Sequence, residues 1–111
     1  MLNVAALVFA VAALGGAVLA YFHFSRKPRP WALTILHGLL AATGLVLVAL
    51  PVINGTATNL KTALIVLLVA ALGGFYLFSY RVRNRELPSA VVLIHGAVAA
   101  IGFILLLVNL L

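Results

Sequence analysis

Four apolar segments, each about 20 residues long and separated by short polar loops, account for most of this chain. They run from Leu2 to Phe24, from Trp31 to Leu50, from Lys61 to Tyr80 and from Pro88 to Leu110. A helix of that length crosses the hydrocarbon core of a bilayer and satisfies its own backbone hydrogen bonds. The sequence therefore predicts an all-α membrane protein, a four-transmembrane-helix up-down bundle with short connections.

Composition supports a membrane protein and excludes a soluble domain. Hydrophobic residues make up 67% of the 111 positions, charged residues only 7%, and the mean hydropathy is +1.34. We expect residues 1–111 to form a single membrane domain with no soluble catalytic lobe. Because the chain has no cysteine, disulfides, iron–sulfur ligation and thioether attachment of haem are excluded.

The net charge of +6 indicates membrane orientation rather than nucleic-acid binding, because the basic residues flank the apolar segments. The first and third loops hold Arg26, Lys27, Arg29, Arg81, Arg83 and Arg85, whereas the middle loop holds only Lys61. The positive-inside rule places the two basic loops in the cytoplasm and both termini outside, in a bacterial inner membrane. We interpret the first segment as a structural helix and not a cleaved signal peptide, since it lacks a basic start and has an internal counterpart.

The two halves of the chain match without a gap at the constant offset that aligns His37 with His95. The matched stretches are Ile35-Leu36-His37-Gly38 with Leu93-Ile94-His95-Gly96, Ala13-Leu14-Gly15-Gly16 with Ala71-Leu72-Gly73-Gly74, and Pro30 with Pro88. This pattern predicts two tandem two-helix repeats, residues 1–52 and 59–111. Since each repeat has two spans, both insert the same way round, related by a pseudo-two-fold axis along the membrane normal.

The repeat places His37 and His95 at one depth, roughly 10 Å inside the basic end of their helices. Each histidine shares a helix face with a glycine seven positions on, Gly44 and Gly102 respectively. The Gly15-Gly16 and Gly73-Gly74 pairs of the first and third helices fall near the same level. Ionisable groups inside a membrane are costly, so the pair is a candidate functional site.

This layout resembles the cytochrome b of quinol–cytochrome c oxidoreductases. In that family haems lie in a four-helix membrane bundle, held by histidines of the second and fourth helices and flanked by glycines on the first and third. The resemblance covers the whole chain as architecture only. This chain departs from the family in having one histidine per ligating helix where the family has two, which would allow one haem and not two. The resemblance then implies one b-type haem with His37 and His95 as axial ligands and the glycines named above against the macrocycle. It also implies that Arg26, Arg29, Arg81 and Arg83 lie near the propionates.

Other functions remain open at this stage. The histidines could serve packing or subunit contact in a cofactor-free accessory or assembly subunit, or could form a quinone, metal or proton site. A small multidrug exporter is excluded, because Glu86, the only acid, lies in a loop. No catalytic constellation is present, so we expect an electron-transfer or accessory subunit that works with other membrane subunits or quinone. His23, at the polar end of the first span, is interpreted as an interfacial side chain facing headgroups or water.

Overall fold

The structure is a computed structural model that describes residues 2–111, so that Met1, the first residue of the expected domain and first repeat, lies outside it. It contains four long helices: α1 (Leu2–Phe24), α2 (Trp31–Ile53), α3 (Lys61–Val82) and α4 (Ser89–Leu110). A short 3₁₀ turn, Thr58–Leu60, precedes α3. All four helices are long and apolar enough to cross a membrane, which confirms the prediction of an all-helical membrane bundle.

Three helix boundaries differ from the prediction, the smallest difference being that α4 begins at Ser89 and not at Pro88. We expected Pro51 to end the second span, but α2 continues beyond it to Ile53. Proline lies here in the last turn, where its missing N–H removes one backbone bond. Its carbonyl oxygen accepts the N–H groups of Thr56 and Ala57, each at 3.0 Å, and so caps the helix. The third helix likewise includes Arg81 and Val82, which were expected in the loop.

The helices follow one another around the bundle in chain order. Packing is most extensive within the two hairpins, α1 against α2 and α3 against α4, and less extensive where the hairpins meet. Among the described residues, the diagonal pairs α1–α3 and α2–α4 do not approach at backbone level. A side chain of α2 therefore reaches α4 only across the centre of the bundle.

The side chains inside the bundle change from apolar at one end to polar toward the other. An apolar core, formed by residues such as Phe9, Val48, Leu64, Leu67 and Leu106, fills the half away from the loops 25–30 and 83–88. We call the end with these two loops the basic end. His37 and His95 lie between that core and the basic end.

The outer surface of the bundle is apolar over its whole length. Exposed large side chains occur on every helix, including Leu7, Leu14, Leu39, Leu72, Phe75, Leu93, Ile94 and Val108. The bundle measures 43 × 21 × 21 Å, long enough to cover a hydrocarbon core of about 30 Å. An apolar surface of this kind suits lipid, so the chain is an integral membrane protein.

Glycines on α2 give a matched test of this packing. A Cβ on Gly44 would lie 2.7 Å from the Phe9 ring, whereas a Cβ on Gly38 would meet nothing within 4 Å. We expect Gly44→Ala to destabilise the bundle by about 1–3 kcal/mol, because the Phe9 ring must move. Gly38→Ala should be neutral. Denaturation in detergent, followed by circular dichroism, measures both, and equal effects would contradict the packing described here.

Candidate functional site

His37 of α2 and His95 of α4 face each other across the diagonal of the bundle. Their ring centroids are 6.3 Å apart and their planes are nearly perpendicular, at 89°. Both side chains are partly buried. The two helices make no backbone approach of their own, so the imidazoles meet near the centre of the bundle.

Each imidazole is held by a hydrogen bond to the neighbouring helix of its own hairpin. Nδ1 of His37 donates to the carbonyl oxygen of Ala12 at 2.7 Å, and Nδ1 of His95 donates to that of Ala70 at 2.7 Å. A carbonyl can only accept, so the proton is on Nδ1 in both rings. The other ring nitrogen, Nε2, therefore carries the free lone pair in the neutral side chain.

The Gly-Gly pairs of α1 and α3 leave the space that the two imidazole rings occupy. A Cβ on Gly16 would lie 2.8 Å from Cε1 of His37, and a Cβ on Gly74 would lie 3.1 Å from Cε1 of His95. A Cβ on Gly15 would lie 3.9 Å from Nδ1 of His37, and a Cβ on Gly73 would lie 3.5 Å from Nδ1 of His95. Each pair thus lies against the imidazole of its own hairpin, which lets the ring reach the backbone carbonyl.

Gly44 and Gly102 lie against side chains of the apolar core. Gly44 contacts the ring of Phe9, and a Cβ on Gly102 would lie 2.8 Å from the Leu67 side chain. Phe9 and Leu67 occupy equivalent positions when His37 is aligned with His95, as do Ala12 and Ala70. The same interhelical contacts therefore recur in both hairpins.

The four arginines proposed from the sequence divide into two groups at the basic end. Arg29 and Arg81 turn inward: Arg29 Nη1 contacts His23 Nδ1 at 3.4 Å, and Arg81 Nη1 donates to Thr34 Oγ1 at 3.2 Å. Arg83 turns back onto its own helix, bonding the Ser79 carbonyl at 3.0 Å. Arg26 is exposed in the first loop with a positive φ of 56°.

The interpretation of His23 as an outward-facing interfacial side chain is wrong. Its side chain is buried, only 8% exposed, because it lies between the first loop and the start of α4. Nε2 donates to Ser89 Oγ at 3.0 Å while Nδ1 accepts from Arg29. No pattern in the sequence indicates this burial, since both partners are distant or in a loop.

Comparison of the chain with protein-family models, with curated proteins and with solved structures finds no match. The site must therefore be interpreted from its own chemistry.

Nδ1 of each imidazole is occupied by its hydrogen bond to a carbonyl oxygen, so Nε2 is the ring nitrogen left for another partner. Among residues 2–111 there is no cluster of three or more metal-binding side chains, so a closed structural site for a bare ion is not formed. The two ring centroids are 6.3 Å apart, so the imidazoles lie close together without sharing a hydrogen bond.

Adjacent glycines allow a test of how His37 is positioned. Gly16→Ala should displace the imidazole and break its bond to the Ala12 carbonyl, because the new Cβ would lie 2.8 Å from Cε1. We expect a stability loss of about 1–3 kcal/mol. Gly15→Ala, whose Cβ would make ordinary contacts, is the matched control. Nitrogen-15 chemical shifts of labelled histidine report the proton on Nδ1, and an unchanged spectrum for Gly16→Ala would refute this positioning role.

Proposed function

We propose that this protein is a small integral membrane b-type cytochrome-like subunit, which binds one haem between α2 and α4 and relays single electrons within a larger redox complex. His37 and His95 supply the axial nitrogens. The observation that carries this proposal is the pair of imidazoles 6.3 Å apart on diagonal helices, each with Nδ1 bonded to a backbone carbonyl.

The Nδ1 bonds are what axial histidines need from their surroundings. A metal-ligating histidine typically donates its second ring N–H to a carbonyl or carboxylate, which fixes the tautomer and the ring orientation. Ala12 and Ala70 supply those carbonyls here. The same bonds leave Nε2 of both rings as the nitrogen that would hold the haem iron.

Glycines and arginines complete the proposed site. Gly15, Gly16, Gly73 and Gly74 lie beside the two imidazoles, while Gly44 and Gly102 lie further along α2 and α4, against the buried Phe9 and Leu67 side chains. Arg26, Arg29, Arg81 and Arg83 are the cations available for the propionates at the basic end. When bound, a bis-histidine haem supplies reversible one-electron oxidation and reduction.

The residues of this chain orient and enclose the site and supply no acid, base or nucleophile to the reaction. A haem in one leaflet cannot by itself carry an electron across the membrane. We therefore infer that the partners are a quinone or neighbouring redox subunits.

A cofactor-free accessory or assembly subunit is the second candidate, and one observation favours it. The Nδ1 bonds to Ala12 and Ala70 already join α1 to α2 and α3 to α4. Interhelical bonds of polar side chains stabilise membrane bundles without any cofactor. In that case the histidines fasten the hairpins, and the apolar exterior contacts other subunits.

The architecture supports a finer proposal about origin and orientation. We propose that the chain consists of two tandem repeats, 1–52 and 59–111, with the basic end in the cytoplasm of a bacterial cell and both termini outside. Support comes from the contacts that recur at equivalent positions of the two halves, including the two Nδ1 bonds, and from the six cations in or beside the two basic loops.

Replacement of either axial histidine tests the haem proposal. Wild-type protein, made with adequate haem supply, should show a Soret band and a reduced-minus-oxidised difference spectrum. His37→Ala and His95→Ala should each abolish the low-spin spectrum, because both axial positions are required, while the bundle still inserts. His23→Ala is the matched control, since His23 lies at the basic end, where it bonds Ser89 and Arg29.

Colourless wild-type protein together with normal assembly of both alanine variants would refute the haem proposal. If the same colourless protein loses stability in the His37→Ala and His95→Ala variants, the accessory-subunit function is supported instead.

Cysteine labelling tests the orientation, because the chain has no cysteine of its own. We expect Thr58→Cys to react with a membrane-impermeant maleimide added outside intact cells. Lys27→Cys and Arg83→Cys should react only after permeabilisation, since the basic loops face the cytoplasm. Protection of Thr58→Cys in intact cells would reverse the topology.

A further inference from the structure

A second polar cluster lies at the basic end, where the end of α3 meets the start of α2. Arg81 is fixed there by three contacts. Nη1 donates to Thr34 Oγ1 at 3.2 Å, Nη2 donates to the Arg29 carbonyl oxygen, and the guanidinium lies 4.4 Å from the centroid of the Trp31 ring. The Arg81 side chain is therefore preorganised across the α2–α3 seam.

Arg29 lies beside Arg81 and is held in place from the side of α1 and α4. Its Nη1 contacts His23 Nδ1 at 3.4 Å, and His23 is held in turn by Ser89 of α4. The Nε atom of Arg29 is buried and has no hydrogen-bond partner among residues 2–111, which is unfavourable for a donor.

Neither guanidinium group is hydrogen-bonded to an acidic side chain among residues 2–111. Glu86 is the only acidic residue; it acts electrostatically on His23, but no hydrogen bond joins it to Arg29 or Arg81. Two neighbouring cations at the edge of a low-dielectric region repel each other. A further anion placed beside them would offset that repulsion.

The position of the cluster favours a lipid as the source of that anion. It lies at the end of the apolar spans, the level at which lipid phosphates meet the protein. The Trp31 and Phe78 rings beneath Arg81 contact each other edge to face at 6.1 Å, and both are more than a third exposed. A phospholipid could place its phosphate on the guanidiniums and its acyl chains along this aromatic surface.

We propose that Arg29 and Arg81 bind the phosphate of an anionic phospholipid in the leaflet at the basic end, with His23, Ser89 and Thr34 positioning the two arginines. Arginine suits this role because its planar donors match the oxygens of a phosphate. This site shares Arg29 and Arg81 with the cations that the haem proposal offers to the propionates, but it uses neither His37 nor His95, so variants of the two histidines test the proposals separately.

Native mass spectrometry of the purified protein, equilibrated in detergent with equal amounts of phosphatidylglycerol and phosphatidylcholine, tests the proposal. The wild type should retain one phosphatidylglycerol in clear preference. Arg29→Gln and Arg81→Gln should each lower that retention roughly tenfold, the loss expected for one charge-assisted hydrogen bond. Arg85→Gln, which removes the same charge from the exposed part of the other basic loop, should retain the lipid as the wild type does.

Several results would overturn this site. Equal losses for Arg85→Gln and Arg29→Gln would mean that only overall charge attracts the lipid. Displacement of the lipid by millimolar inorganic phosphate would mean that the site binds free phosphate. If Arg81→Gln does not assemble, Arg81→Lys keeps the charge and should still weaken retention. The double variant His37→Ala/His95→Ala should retain the lipid, which separates failure of this proposal from failure of the haem proposal.

Discussion

The bond between each membrane-embedded histidine and a backbone carbonyl is the constraint on which the structure of both hairpins depends. An imidazole in hydrocarbon must find a partner, and the carbonyls of Ala12 and Ala70 provide it at 2.7 Å. That contact is possible only where the opposing helix has no side chain in the way, which explains Gly16 and Gly74. It also fixes the tautomer, so a requirement of packing leaves two ring nitrogens available for ligation.

The contacts within the two hairpins are alike, whereas the two sets of contacts between the hairpins differ. Inside each hairpin, His37 with Ala12 and His95 with Ala70 make the same contact. Between the hairpins, His23 bonds Ser89, whereas the equivalent positions of the other half pair Arg81 with Trp31. The level of His37 and His95 therefore suits a site to which both hairpins contribute equally. The basic end suits a ligand that binds at only one of the two contacts between the hairpins.

Much of the fold could be predicted from the sequence because hydrophobicity and length determine membrane spans. The helix pattern and the short loops follow from this, and the level shared by His37 and His95 was predicted from the match between the two halves. The polar end could not be predicted in the same way. His23 is buried because residues far apart in the chain, Arg29 and Ser89, converge on it, and periodicity carries no information about such contacts. The prediction that Pro51 ends the second span was also wrong, because a proline in the last turn of a helix removes only one backbone hydrogen bond.

The closure of each histidine bond within its own hairpin has a consequence for biogenesis. The first hairpin can form the hydrogen bond of its embedded histidine before the second hairpin has been synthesised, and the second needs no contact with the first to form its own. Each hairpin can therefore partition into lipid as a self-contained unit, in keeping with its more extensive internal packing. The two hairpins then associate laterally within the membrane in a later step. Because His23 and Arg81 make different contacts, the α1–α4 and α2–α3 seams differ from each other during that step.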